Sequence, residues 1–159
     1  YEISLGLVGS EMCIRDRYYA EKLMGTRLMG TLSVTIDLKR NMSEKEGWEG
    51  SAIWDDWDDF KKTPRDYTIE LDCSMSIRNI LINLAHEFVH IKQWVKGDMY
   101  EYYRNPSMVR FMKKKYDMKN MHYFDYPWEI EAFGRQLGLF TRWCEDAGLG
   151  EREDMREEV

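Results

Sequence analysis

Two histidines four residues apart with a glutamate between them, His86-Glu87-Phe88-Val89-His90, form the one HExxH pattern in the chain. On a helix, positions i and i+4 share a face, so both imidazoles reach the same ion, and the intervening Glu87 sits at the edge of that face, where it takes a proton from activated water. Only three histidines exist in the sequence, and two of them occupy these positions. A hydrolytic zinc site needs a third protein ligand and an open fourth position. The compact arrangement with a third His six residues on is absent, because Gln93 stands where its Gly belongs and Lys96 where its His belongs. The third ligand therefore comes from elsewhere, and His122 and the acids of Pro127-Trp-Glu-Ile-Glu-Ala132 are the candidates.

Helical periodicity separates those acids. A wheel begun at Trp128 gathers Ile130, Ala132, Phe133, Gln136, Leu137, Leu139, Phe140, Trp143 and Cys144 into one continuous arc, with Glu129 near its centre. Glu131 falls on the opposite side, where an i,i+4 pair with Arg135 accounts for it as a solvated charge. A carboxylate in the middle of an apolar face is costly unless it is paired or ligates a metal, which singles out Glu129. Two other accounts stand beside this one: a first-turn acid answering the helix N-terminus after Pro127, and His122 as the ligand.

The elements that must position these groups follow from the same patterning. Leu32, Val34, Ile36 and Leu38 alternate with polar residues, as do Tyr67, Ile69 and Leu71, and both segments read as half-buried strands, with a short strand at "SAIW" between them. From Ser76 the period becomes helical, with Ile77, Ile80, Leu81, Leu84, Phe88, Ile91 and Val95 on one side until Gly97. Asn79, Asn83, His86, His90 and Gln93 form a polar seam opposite. A short helical turn is expected over 18–24, a loop and short helix over about 107–116, and a second long helix from Pro127 to about Ala147. The acidic "DDWDD" at 55–59 is expected to be a solvated loop.

Composition bounds the rest. With 159 residues, 43% hydrophobic and three prolines, the chain fits one compact domain. A net charge of −6 speaks against a nucleic-acid partner, and no apolar run approaches the length that crosses a bilayer. The first seventeen residues join neither period, and "LVGSEMCIRD" back-translates to CTC GTG GGC TCG GAG ATG TGT ATA AGA GAC, which resembles a sequencing-library adapter; residues 1–17 are taken as a translated adapter. Without them the balance stays acidic, 21 basic against 26 acidic side chains, and the remaining Cys73 and Cys144 are too few for a disulfide framework. The expected organisation is a single domain over 18–150 and a charged, frayed tail over 151–159, in the cytoplasm, that of a host if the chain is phage-encoded.

The pair "LAHEFVHIKQW" and "PWEIEAFGRQLGLFTRW" resembles small zincin-type metallopeptidases of tailed phages and environmental viral sequences, and more broadly the gluzincins, whose third zinc ligand is a Glu of a later helix in an E-x-x-A context. The resemblance implies an α+β fold, a minimal zincin-like domain with a small, mainly antiparallel sheet packed on the HExxH helix and on a second, ligand-bearing C-terminal helix. It implies one Zn2+ held by His86, His90 and Glu129, with Glu87 as general base in the hydrolysis of peptide or protein substrates. His122, Tyr123 and Tyr126 are the candidates for an oxyanion donor. The gluzincin pattern carries an Asp four residues after its Glu; Phe133 stands there, so the usual carboxylate behind a ligand His is replaced or missing. Similarity to SprT-like proteins would favour His122 as ligand and a DNA-associated protease, for which the acidic chain offers no basic groove. A non-catalytic, zinc-stabilised binding or virion-associated module is the other alternative, and it has no use for Glu87.

Overall fold

The computed structural model describes residues 17–55, 63–102 and 104–156. The leader before residue 17, residues 56–59 of "DDWDD" and the last three residues of the tail lie outside the described residues. Helix α1 is described over 17–24 and buries Tyr19, Ala20, Leu23 and Met24, the i, i+1, i+4, i+5 pattern of a helix laid on a core. A single turn, α2 (Thr26–Met29), follows.

Period-two burial then builds the first sheet. Strands β1 (Ser33–Lys39) and β3 (Asp66–Asp72) turn Val34, Ile36, Tyr67, Ile69 and Leu71 inward, and α3 (Met42–Glu46) and β2 (Gly50–Trp54) lie between them in sequence. The strand order is β1-β3-β2. The antiparallel pairing expected of the sheet is found between β2 and β3, as it is throughout the second sheet; the departure is that β3 pairs parallel with β1, in register from Ser33↔Asp66 to Lys39↔Asp72. The reason is that β2 makes the return pass, while β3, with Tyr67, Ile69, Leu71 and Asp72 almost wholly inaccessible, takes the centre. Its last residue, Asp72, accepts hydrogen bonds from the Ser43 and Ser74 amides, which hold its carboxyl well below the usual range and tie α3 to the sheet.

Helix α4 (Ile77–Val95) starts where the Ser76 side chain accepts from the Asn79 amide at 3.3 Å, and it lays Leu81, Leu84, Ala85, Phe88 and Ile91, all fully buried, on that sheet. Each of the Leu, Ile and Phe side chains contributes roughly 1.5–3 kcal/mol of burial, which makes α4 the axis of the main core. Helix α5 (Pro127–Asp146) opens with Pro at its first turn and packs along α4 through Ala132, Phe140, Trp143 and Cys144. Only part of the predicted apolar arc is covered: Ile130, Phe133 and Leu137 remain exposed.

The segment expected to hold a short helix over 107–116 forms a second sheet instead. Strands β4 (Met99–Glu101), β5 (Met108–Phe111) and β6 (Lys114–Asp117) pair antiparallel in that order. Val109 and Phe111 point inward two residues apart, a strand period, and join Met99 and Trp128 in a small second core. Met112 and Lys113, both with positive φ, make the two-residue turn that a tight hairpin requires. The tail also departs from expectation: a 3-10 turn at Glu153–Met155 brings Met155 into the main core against α4, because one long apolar side chain suffices to anchor a charged segment. Among the described residues no helix is long and apolar enough to cross a membrane.

Candidate metal centre

Glu129 enters the site from the first turn of α5, opposite the two histidines on successive turns of α4. The His86 and His90 Nε2 atoms are 3.1 Å apart; the Glu129 Oε2 lies 3.3 Å from the first and its Oε1 3.6 Å from the second. The three residues are buried, and their ligand atoms lie within 4.8 Å of one another. Tetrahedral ligands about 2.0–2.1 Å from a shared ion stand roughly 3.3 Å apart, so the spacing fits a small divalent cation.

The hydrogen bonds behind the histidines make the same point through tautomers. His86 Nδ1 is 2.7 Å from Gln136 Oε1, and His90 Nδ1 is 3.0 Å from Gln93 Oε1. An amide oxygen only accepts, so each Nδ1 carries a proton and donates it. In the neutral rings both Nε2 atoms then aim lone pairs at each other and at a carboxylate, an arrangement that calls for a cation among them. A buried His-His-Glu group that can hold a metal ion is thus present. Behind the histidines the partners are therefore two amides, Gln136 and Gln93, and no carboxylate, while Phe133 sets its ring edge-on to His86, 4.7 Å between centroids.

Electrostatics follow from the crowding. Burial works against a charged His90, but the hydrogen bond it donates to Glu129 and the charges of Glu87 and Glu129 outweigh it and push its pKa up to about 9. Burial likewise opposes ionised Glu129, and its contacts with His86 and His90, together with the hydrogen bond that Tyr123 donates, bring it down to about 2. A proton held by His90 thus bridges the donors when no ion does. His90's folded pKa exceeds its ordinary 6.5, so its stabilisation is complete below about pH 6.5 and lost as pH climbs through about 9. Glu87, raised by burial, acts in the same direction. The melting temperature of chelator-treated protein should therefore fall between pH 6.5 and 9, while metal-loaded protein, bridged by an ion, holds level. A flat profile for the chelated protein would contradict the shared proton.

A cleft of about 710 Å³ opens over this group, walled by β2 and the loop before it on one side and by Tyr123, Phe124 and Phe133 on the other. Glu87 lines it, buried, with the Ala52 backbone as a hydrogen-bond partner. Gly50 fits closely there: a Cβ on it would sit 3.0 Å from Glu87 Oε1 and 3.2 Å from the Leu71 side chain, so those side chains would have to give by a few tenths of an ångström. Trp48, Tyr123, Phe124 and Phe133, all large and exposed, rim the opening.

The other predicted residues fall in different places. Tyr123 reaches the cleft and donates its hydroxyl to Glu129 Oε2 at 2.8 Å; burial, with that carboxylate, pushes its phenol well above the usual range. His122 does not join the ligand group: it starts the 3-10 turn Tyr123–Asp125, its Nδ1 accepts from the Phe124 amide at 3.4 Å, and its ring is exposed. Tyr126 turns away from the cleft, its hydroxyl on the Met118 carbonyl at 3.2 Å and its ring stacked on Trp128. Glu131 is not simply solvated. It pairs with Arg135 as expected, at 2.9 Å, but also with buried Lys92 at 2.8 Å and buried Gln93 at 3.1 Å.

Residue patterning alone passed over Gln136, Gly50 and the partners of Gln93. Gln136 did leave a signal, an amide inside an apolar arc two turns after Glu129. Comparison with protein-family models, curated proteins and solved structures gave no match.

Proposed function

We propose that the chain is a zinc-dependent metallopeptidase of zincin type, hydrolysing peptide bonds, with His86, His90 and Glu129 holding the ion. Zinc, when bound, supplies a Lewis acid that activates water and polarises the scissile carbonyl. The observation that carries the proposal is Glu87: a buried acid with raised pKa on the wall of an open cleft, one residue from a metal-holding His. A site that only braces two helices has no need of a raised carboxyl, nor of a cleft over the ligands. Burial brings Glu87 nearer to neutral pH, which suits a group that must take a proton from water and hand it to the leaving amine. Tyr123, whose single hydroxyl proton is donated to Glu129 in the resting site, becomes a donor for the developing oxyanion by turning that O–H from the carboxylate into the cleft. Strand β2 is at the edge of its sheet and lines the cleft, so an extended peptide can add to it by backbone hydrogen bonds.

The deciding experiment is metal analysis of purified protein together with cleavage of a mixed peptide pool. About one zinc per chain is expected, with cleavage lost on chelation and restored by zinc. Sub-stoichiometric metal, or cleavage indifferent to the chelator, would refute the proposal.

A further inference from the structure

The side chains around Lys92 lie outside the cleft lining, yet their hydrogen bonds end on a metal ligand. The buried Lys92 ammonium is 2.8 Å from Asp98 Oδ2 and 2.8 Å from Glu131 Oε1, and Arg135 Nε meets the same Oε1 at 2.9 Å. Glu131 Oε2 is left for Gln93, whose Nε2 donates to it at 3.1 Å. That Nε2 also donates to the Trp128 carbonyl at 2.9 Å. With both its N–H groups committed, the fully buried Gln93 amide has one orientation, and its oxygen faces His90 Nδ1 at 3.0 Å. A flipped amide would set its oxygen against two acceptors with no water to relieve them.

We propose that Glu131 is a positioning residue for the metal centre: through Gln93 it fixes His90 as the Nδ1–H tautomer with Nε2 free to ligate. This rests on the metal-site reading above. An exposed acid paired only with Arg135 would contribute little and need no buried partners. The two acids of "PWEIEA" then serve one ion from opposite sides of α5, Glu129 by contact and Glu131 through an amide. Spacing explains the division: two residues along a helix turn a side chain by about 200°, so one acid meets His86 and His90 while the other meets Lys92 and Gln93.

The test titrates zinc against a chromophoric chelator in wild type, Glu131→Met, Glu131→Gln and Arg135→Met, and takes long-range proton–nitrogen NMR spectra of the zinc-loaded wild type. Glu131→Met should bind zinc about tenfold more weakly, at the lower end of what losing a partner behind a ligand costs. Glu131→Gln keeps an acceptor oxygen for Gln93 and should recover most of the affinity, and Arg135→Met, which touches only Oε1, should match wild type. The spectra should show His90 ligating through Nε2 with a slowly exchanging proton on Nδ1, a result that stands even if Glu131→Met does not fold. Wild-type affinity in Glu131→Met, an equal loss in Glu131→Gln, or His90 ligation through Nδ1 would each overturn the inference. A wild type that binds no zinc would instead overturn the metal reading beneath it.

Discussion

Glu87→Gln should yield a folded chain that binds zinc as wild type does and cleaves peptide about 10²–10⁴-fold more slowly, the range that a positioned general base contributes. The substitution is isosteric, and an amide still accepts from the Ala52 backbone, so neither β2 nor the wall of the cleft has cause to move. What disappears is the capacity to gain and lose a proton. Glu87 is not one of the three grouped ligand residues, so metal content should be unaffected. Gly50 sharpens the expectation, since a side chain there would press on Glu87 Oε1, and the sheet leaves room for the carboxyl by placing the smallest residue against it. Equal turnover in wild type and Glu87→Gln would remove the catalytic role and leave a metal-braced module as the better account. The loss should appear in kcat, with KM little changed, because Glu87 acts on water and not on substrate binding.

How far the sequence foretells the structure depends on whether a feature is local or is made by contact. The α4 helix was legible throughout: seven apolar residues at helical spacing, a Ser cap and a terminal Gly are all local signals, and the helix runs Ile77–Val95. The same holds for α5, for the three first-sheet strands and for the grouping of Glu129 with His86 and His90, which follows from a charge misplaced on an apolar arc. The β4-β5-β6 sheet was not, because three- and four-residue strands carry too few positions to separate period two from a helical turn, and Met112 and Lys113 are poor advertisements for a tight turn. The parallel pairing of β1 with β3 was hidden for a different reason: strand direction is decided by where the return pass lies, which residue patterns do not record. Glu131 shows the limit most clearly. The wheel placed it correctly opposite Glu129, but "opposite" is not "exposed", since the far flank of α5 still faces Lys92 and Gln93 of α4.

Glu129→Gln should cost zinc more than about a hundredfold in affinity, beyond the 10–100-fold attributable to groups that only support a ligand. An amide oxygen is a weaker donor than a carboxylate, and the change deletes the one negative charge among the three ligands. The metal-free protein should register the loss too. Working against burial, His90 owes its raised pKa first to the hydrogen bond it donates to Glu129 and then to the charges of Glu87 and Glu129. Without Glu129 the burial cost gains on what remains, and the fall in melting temperature between pH 6.5 and 9 should flatten. Tyr123 would keep a hydrogen-bond acceptor but no longer a charged one, so its phenol should titrate lower. The comparison that decides the ligand is with Glu131→Gln: both variants remove one carboxylate from the same turn of α5, yet only one removes it from between two histidines. Zinc affinity should fall steeply in Glu129→Gln and little in Glu131→Gln. A larger loss in Glu131→Gln, or an unchanged affinity in Glu129→Gln, would exclude Glu129 as the third ligand.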